Sequence, residues 1–326
     1  MVGFLTVLLA SFFFCFQNVI VRTLFHEQTV LSVFHTGGFV APTLPNSFLL
    51  MFMRMLLVVP LMAALAGKLY PPTWKAIGQL REPAKYPLLQ RAIAGGGLMF
   101  LYLALLYVSM GLIPVGIAIT LFFSYPVFTA LFSWRFFGDR PTVFRWSVMG
   151  LVLLGSTLTL PHVNPAMSHT SVIGIMMGIA SGIAYALYTV VAQKSFETLH
   201  PVPFTWISFL TTLILSGVSL LLWHEQVWHE QGAPLPWPPL WIGGLFSAIV
   251  TFAGHLLNNI GIRLIGATTA SMIGASNPAL TVVLAWLTIQ ETLNVVQITG
   301  VAIVTLSVAL LGRERGMGSR EVERRE

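Results

Sequence analysis

The chain has 326 residues, of which 56% are hydrophobic and 9% are charged, with a mean hydropathy of +0.82 and a formal net charge of +6. A soluble domain carries about 25% charged residues, so this composition excludes a water-soluble globular protein and indicates a polytopic membrane protein. The basic balance therefore reports membrane orientation rather than nucleic-acid binding, and the single cysteine, Cys15, excludes a disulfide framework.

Apolar runs long enough to cross a bilayer, about 20 residues each, recur along the whole chain. They predict ten transmembrane helices, at approximately 3–22, 46–66, 88–109, 113–134, 144–160, 171–192, 203–223, 239–258, 266–287 and 294–312. The first run has no basic n-region and no small-residue cleavage site before Arg22, so we interpret it as a span and not as a signal peptide. The predicted fold class is an all-α integral membrane protein.

Basic residues predict the orientation of these spans. The loops after spans two, four, six and eight, with the first residues of the spans that follow them and the C-terminal segment, contain 15 of the 17 Lys and Arg residues. The two exceptions are Arg22, at the end of span one, and Arg54, inside span two. Because cytoplasmic loops are enriched in Lys and Arg, we predict a multi-pass protein of the cell (inner) membrane with both termini in the cytoplasm. Residues 313–326 form a charged cytoplasmic tail in this interpretation.

One sequence motif, which we call the duplicated phrase, occurs twice in the chain. The stretches SYPVFTALFSWRFFGD (124–139) and SNPALTVVLAWLTIQE (276–291) share serine, proline, threonine, tryptophan and a final acidic residue at a constant offset of 152. Span one, LLASFFFCFQNVIV, also resembles span six, GIASGIAYALYTVV. Each half contains five spans, an odd number, so the second half (170–312) is predicted to be inverted relative to the first (1–162). Inverted repeats are typical of secondary transporters, which hold substrate between the halves near the midplane.

Ten spans in a five-plus-five pattern, with this phrase late in each half, resemble the EamA family of the drug/metabolite transporter superfamily. The matching segments are GIAITLFFSYP (116–126) and GATTASMIGASNP (266–278), followed by Trp134, Asp139 and Gly150 in the first half and Trp286, Glu291 and Gly300 in the second. The first half departs from the pattern, with 11 positions from acid to glycine against 9 in the second. The resemblance implies transport of small metabolites, often export of amino acids or related solutes, by alternating access. It also implies a cavity walled by spans one, three, four, six, eight and nine.

Two prolines, Pro126 and Pro278, lie near the middle of their predicted spans. A helix-interior proline removes one backbone hydrogen bond and frees the carbonyl four residues back, here those of Phe122 and Gly274. In hydrocarbon a freed carbonyl needs a partner or a wet cavity. Two symmetric kinks predict a paired gate at the centre of the protein, and a locally repaired structural kink is the alternative.

Polar side chains at membrane depth are the candidate substrate-binding residues, because such residues usually face the bundle interior and mark a pathway. They are Gln17, Asn18, Ser124, Tyr125, Tyr185, Tyr188, His255, Asn258, Asn259, Ser276 and Asn277. Hydrogen bonds between helices are the competing explanation for each of them. His255 is the one candidate in a span for a proton relay, but facilitated exchange is the simpler mechanism. Arg54 could attract a carboxylate, although we favour a structural or snorkelling role for it.

Other functional classes of protein have weaker support in the sequence. The Gly67-Lys68 pair lacks the frame of an ATP-binding P-loop, and the segment from His224 to His229 is one residue too long for the zinc motif H-E-x-x-H. We therefore expect no enzyme activity, cofactor, metal or nucleic-acid partner, and we expect a small-molecule substrate, a lipid bilayer and a monomer or homodimer. A structural or lipid-handling membrane protein without a solute cycle remains as the rival. A central cavity open to one side would favour transport, and a filled core would favour that rival.

Overall fold

A computed structural model of the chain describes residues 1–25, 27–30, 34–41, 43–113, 115–138, 140–159, 169–222, 235–289 and 294–323. Four positions discussed above lie outside the described residues: Asp139, His224, His229 and Glu291. The roles considered for them therefore remain predictions.

The described residues form thirteen α-helices, a single 3-10 turn at Pro83–Lys85 and one short hairpin. The helices are α1 Val2–Phe25, α2 Leu44–Leu69, α3 Thr73–Gln79, α4 Tyr86–Leu112, α5 Val115–Phe122, α6 Tyr125–Phe137, α7 Val143–Thr159, α8 His169–Phe196, α9 Pro201–Leu222, α10 Trp237–Ile265, α11 Ala267–Gly274, α12 Asn277–Ile289 and α13 Val295–Glu323. The sequence did not predict the hairpin, in which β1 (Glu27–Val30) pairs antiparallel with β2 (Phe34–Gly37) from Glu27↔Gly37 to Val30↔Phe34.

The predicted all-α membrane architecture is confirmed at the level of its helices. Six helical segments are long and apolar enough to cross a membrane: α1, α2, α4 with its preceding turn, α8, α9 and α10. The apolar parts of α7 and α13 are shorter, and spans four and nine are each divided into two helices. The count of ten spans therefore stays a prediction. Helix α13 continues to Glu323, so much of the predicted tail is helical in backbone.

Spans four and nine are each interrupted just before their central proline. The first break separates α5 from α6 at residues 123–124, and the second separates α11 from α12 at residues 275–276. Pro126 and Pro278 are the second residues of the helices that follow, where a missing N–H is tolerated. The hydroxyl of Ser124 donates to the Leu121 carbonyl, and that of Ser276 donates to the Ile273 carbonyl, both at 2.6 Å. The prolines thus lie in the first turn of a helix, and the serine hydroxyls bond to the carbonyls one residue before those that the prolines free.

Packing between the two halves follows the internal repeat. By position in the repeat, α1, α2 and α4 of the first half correspond to α8, α9 and α10 of the second. Helix α4 packs against α8, and α1 packs against α10, which is the same contact with the halves exchanged. In the same way, the contact of α6 with α8 corresponds to the contact of α12 with α1. The contact of α4 with α9 corresponds to the contact of α10 with α2. These exchanged contacts are what a duplicated architecture predicts.

Glycines allow the closest of these approaches. A Cβ added at Gly182 on α8 would lie 2.9 Å from the carbonyl oxygen of Phe122, next to the first break. A Cβ at Gly96 on α4 would lie 2.5 Å from the Cβ of Thr211 and 2.8 Å from the carbonyl oxygen of Ser208, both on α9. Small residues at helix interfaces let backbones approach in this way. Both glycines therefore have a packing role at these helix contacts.

Candidate functional site

Helix α10 carries a buried polar stripe that points into the bundle. Its members recur every three to four residues, the spacing that places side chains on one helix face, and none is more than 6% exposed. They are Ser247, Thr251, His255, Asn258 and Asn259. Helix α10 packs against α1, α2 and α9, so the stripe faces protein. This burial agrees with the rule that polar residues in spanning helices face the interior.

The first part of the stripe joins a set that we call the Arg54 cluster: Gln17 of α1, Arg54 of α2, and Ser247 and Thr251 of α10. The hydrogen-bond network assigns the orientation of the Gln17 amide. The amide oxygen of Gln17, and not its amide nitrogen, must face the Arg54 guanidinium, because the guanidinium can only donate. In that orientation the oxygen accepts from Arg54 Nη1 at 2.9 Å and from the Ser247 hydroxyl at 2.7 Å. The amide nitrogen donates to the Thr251 hydroxyl at 2.8 Å. Three helices therefore meet at one guanidinium.

Arg54 is a buried cation without an acidic partner. Its side chain is 7% exposed and its Nε has no hydrogen-bond partner. No carboxylate among the described residues forms an ion pair with it, and all 11 acidic residues of the sequence lie outside the ten predicted spans. A buried charge is normally paired, because desolvation costs several kcal/mol per ion. The arrangement leaves positive charge and unused donors inside the protein.

His255 lies one helical turn beyond Thr251, between two phenylalanine rings. The ring centroids of Phe14 and Phe209 are 4.9 Å and 5.7 Å from that of the imidazole, both edge-on. His255 is 6% exposed, its Nδ1 has no hydrogen-bond partner, and it interacts electrostatically with Arg54. A second unsatisfied polar atom therefore lies near the Arg54 cluster. A role for His255 in proton transfer remains a prediction.

An aromatic cluster, made of Tyr102, Phe122, Tyr125 and Tyr185, lies where α4, the first break and α8 meet. The ring centroid of Tyr185 is 4.6 Å from that of Tyr125 and 4.9 Å from that of Tyr102, both nearly perpendicular. Phe122 closes the cluster at 5.4 Å from Tyr125 and 5.9 Å from Tyr102. Edge-to-face rings at these separations attract each other. The cluster gives the middle of the bundle an apolar wall with hydroxyl groups on it.

The rest of the α10 stripe continues from this cluster toward the predicted cytoplasmic end. The Asn259 amide lies within 3.1 Å of the Tyr188 hydroxyl and donates to the Thr205 hydroxyl at 2.8 Å. Asn258 interacts with the Tyr185 side chain. Helices α8, α9 and α10 are thus joined by buried hydrogen bonds, which is the interhelical role that the sequence left open for these residues.

The two breaks are in contact with each other, and Tyr125 closely approaches Gly274. Tyr125, at the start of α6, places its hydroxyl oxygen 2.6 Å from the position that a Cβ would occupy on Gly274, the last residue of α11. Both residues belong to the duplicated phrase or its flank, so the two copies touch each other. Only glycine leaves room for the hydroxyl there.

Four other predicted site residues lie apart from the Arg54 cluster. Ser124 and Ser276 are engaged with the backbone at the breaks, as described above. Asn18 is exposed and donates to the Thr281 hydroxyl at 3.2 Å. Asn277 is half-buried, and its carbonyl oxygen accepts from the Cys15 thiol at 3.5 Å. Asn18 and Asn277 therefore join α1 to α12, on a different side of α1 from Gln17.

Sequence reasoning missed three members of these networks: Ser247, Thr251 and Thr205. The signal for the first two was present, because they precede His255 at four-residue intervals in the same span. Arg54 was noticed but was assigned a structural or snorkelling role. A snorkelling arginine places its head group in the interface, whereas Arg54 hydrogen-bonds to the middle of α1.

A relative in Synechocystis sp. (strain ATCC 27184 / PCC 6803 / Kazusa), the uncharacterized transporter sll1319, is 57% identical over 315 residues, covering 97% of this chain and 94% of its own. Residues 172–313 match the model of the EamA-like transporter family. The chain belongs to this family. It is therefore a membrane transporter of the drug/metabolite transporter superfamily, as the resemblance of the two copies of the phrase implied.

Less similar relatives of this chain include two further named proteins. The threonine/homoserine exporter RhtA of Escherichia coli (strain K12) is 29% identical over 215 residues, which cover 66% of each chain. The uncharacterized transporter YvbV of Bacillus subtilis (strain 168) is 24% identical over 216 residues, covering 65% of this chain and 67% of its own. A solved crystal structure at 16% identity superposes with a TM-score of 0.73 over 95% of both chains, which supports the fold alone.

The space beside Arg54 is small in this conformation of the EamA-family chain. A cavity of about 10 Å³, room for about one water molecule, is lined by Arg54 and Ser247 and by residues of α1, α2 and α4, among them Tyr107. A larger crevice of about 330 Å³ lies between α2, α9 and α10, where His200 and Arg263 line it. Partial burial and the nearby Arg263 charge lower the pKa of His200. A solute the size of an amino acid does not fit beside Arg54 until helices move apart.

We expect Gly274→Ala to destabilise the protein through Tyr125. The new methyl group overlaps the hydroxyl, so Tyr125 and its ring contacts must shift, a cost of about 1–3 kcal/mol for overpacking. The thermal unfolding midpoint of the purified protein in one detergent should fall. Adding Tyr125→Phe removes the overlapping oxygen and should recover most of the loss; a double variant as unstable as Gly274→Ala would contradict the contact.

Proposed function

We propose that the protein is a secondary transporter that exports or exchanges a small organic metabolite, an amino acid or a related solute, by alternating access. Membership of a transporter family supports transport, and the similarity to a threonine/homoserine exporter supports this substrate class. The observation that carries the proposal is the contact between the two breaks, Tyr125 on Gly274, beside buried polar groups. Broken helices at the repeat interface are where many transporters bind their substrates.

The site lies between the Arg54 cluster and the aromatic cluster in this proposal. Solute enters from one side, the helices around the two breaks rock, and solute leaves on the other side. The small cavity beside Arg54 suits a state in which neither side has access. Close glycine contacts such as that of Gly182 with the Phe122 carbonyl give the helices smooth surfaces for such motion.

The rival, a structural or lipid-handling protein, is the weaker interpretation. It explains the filled aromatic cluster and the hydrogen bonds of Asn259, which need no solute. It gives no reason for a buried guanidinium without an acidic partner, which costs stability in a protein that binds nothing there.

Counterflow into proteoliposomes tests the proposal. Purified protein is reconstituted into liposomes preloaded with unlabelled solute, and uptake of labelled L-threonine and L-homoserine is followed, then of other amino acids, sugars, organic acids and nucleosides. We expect counterflow of one class. Gln17→Ala should reduce it about tenfold or more, because a hydrogen bond to a charged group is worth about 1.5–3 kcal/mol.

Two matched variants complete the test. Thr305→Ala, on an exposed face of α13, should leave counterflow unchanged. Asn277→Ala tests the predicted site residue at the second break, and a loss as large as that of Gln17→Ala would extend the site to α12. Absence of counterflow for every class, from protein that elutes as a folded monodisperse species, would reject export or exchange of these metabolites as the function.

A further inference from the structure

Arg54 has more donors than partners. A guanidinium carries five N–H donors in a planar fork, and one of them, on Nη1, is bonded to the Gln17 oxygen. Its Nε is buried without any partner, and the side chain lines the small cavity that it shares with Ser247. The donors that remain point to a ligand rather than to an internal acceptor.

The energetics favour a ligand of negative charge. Protein structures rarely bury an arginine without a carboxylate, because an unpaired buried charge costs several kcal/mol. Among the residues that the structure describes there is no candidate, since the predicted spans contain no Asp or Glu and no described carboxylate pairs with Arg54. The neighbouring groups of Gln17, Ser247 and Thr251 are neutral. The described part of the ligand-free protein therefore supplies no negative charge to balance the Arg54 cation.

We propose that Arg54 is the binding group for a carboxylate on the transported solute. This inference rests on the proposed function and narrows its substrate class to carboxylates. Arginine and a carboxylate form paired, parallel hydrogen bonds, an arrangement that a neutral amide or ester cannot match. The Nε and the free edge of the guanidinium hold the two carboxylate oxygens, and the aromatic cluster faces the remainder of the solute. Gln17 keeps the guanidinium in place through its bond to Nη1.

The first test needs no knowledge of the solute. In the ligand-free protein, Arg54→Met removes an uncompensated buried charge and keeps an unbranched side chain of similar reach. We expect a thermal unfolding midpoint in detergent equal to that of the wild type or higher. A midpoint several degrees lower would show that Arg54 stabilises the empty fold, and it would overturn the proposal. Arg263→Met, outside the cluster, is the control for loss of an arginine.

The second test supplies the missing carboxylate within the chain. Gln17→Glu places an acid on the atom that already contacts Arg54 Nη1, so that the variant carries its own competitor for the guanidinium. We expect binding of L-threonine, or of the carboxylate solute that counterflow identifies, to weaken about 100-fold. Gln17→Met, which loses the amide but adds no charge, should weaken it less. Equal binding by the glutamate variant and the wild type would overturn the proposal.

The third test compares each acid with its own amide. Wild-type proteoliposomes should exchange L-threonine and fail to exchange L-threoninamide, and Arg54→Met should fail with both. Three results would overturn the carboxylate proposal while leaving the proposed function intact. The wild type could exchange amides as well as acids, or it could exchange only solutes without a carboxylate. In the third, Arg54→Met exchanges L-threonine at the wild-type rate. If the wild type moves nothing at all, the proposed function fails first, and the midpoint of Arg54→Met still decides whether Arg54 is structural.

Discussion

Replacing Gly96 with valine is expected to separate α4 from α9 and to destabilise the protein strongly. The new Cβ would lie 2.5 Å from the Cβ of Thr211 and 2.8 Å from the Ser208 carbonyl oxygen, so a side chain and a backbone would both have to move. Overpacking of this kind costs about 1–3 kcal/mol, and the γ-methyl groups add to it. The measurement is the thermal unfolding midpoint of purified protein, together with the fraction that elutes as a monodisperse species.

The matched control is the neighbouring residue on the same helix. A Cβ at Gly97 would meet no atom within 4 Å, so Gly97→Val makes the same chemical change with the same helix propensity but without the clash. We expect Gly97→Val to keep a midpoint close to that of the wild type. Equal losses for the two variants would mean that the helix backbone, and not the contact with α9, explains the effect.

Asn259→Leu is the second change for which we expect a large effect. The substitution roughly preserves volume, but it leaves the buried Tyr188 hydroxyl without the amide that contacts it. Thr205 keeps its bond to the Pro201 carbonyl, so the main loss falls on Tyr188. An unsatisfied buried group costs about 1–3 kcal/mol. The thermal midpoint should fall, whereas Asn18→Leu, at an exposed asparagine in α1, should change it little.

A double variant identifies the origin of that loss. Removing both partners of a buried hydrogen bond is nearly neutral when shape is kept, so Asn259→Leu with Tyr188→Phe should recover most of the stability. Additive losses for the two substitutions would show that Asn259 and Tyr188 do not act as a pair.

The sequence predicted much of the architecture, because hydropathy and charge bias are strong signals in membrane proteins. The interruptions near Pro126 and Pro278 were expected at these places, because proline removes a backbone donor. The sequence did not predict that the flanking serine hydroxyls bond to carbonyls three residues back. Local hydrogen bonding of this kind depends on side-chain rotamers, which periodicity does not encode.

Individual residues of the site were predicted from their polarity, but their grouping around Arg54 was not. Gln17 and His255 were selected because they are polar at membrane depth, and the structure places both near Arg54. For Arg54 the sequence analysis considered a carboxylate ligand but favoured a structural or snorkelling role, because the sequence cannot show which way a long side chain points or whether an acid lies near it. The contact of Tyr125 with Gly274 joins residues 149 positions apart, and only the fold brings them together.

The exchanged packing of the two halves has a consequence for each half taken alone. Helix α8 of the second half rests on α4 and α5 of the first, and α1 of the first rests on α10, α11 and α12 of the second. Neither half therefore encloses a core of its own. A single half made alone would expose these glycine-lined and polar faces to lipid, and the complementary surface for them is a second copy of the same half. A half expressed alone is therefore expected to need a second copy of itself to cover these faces.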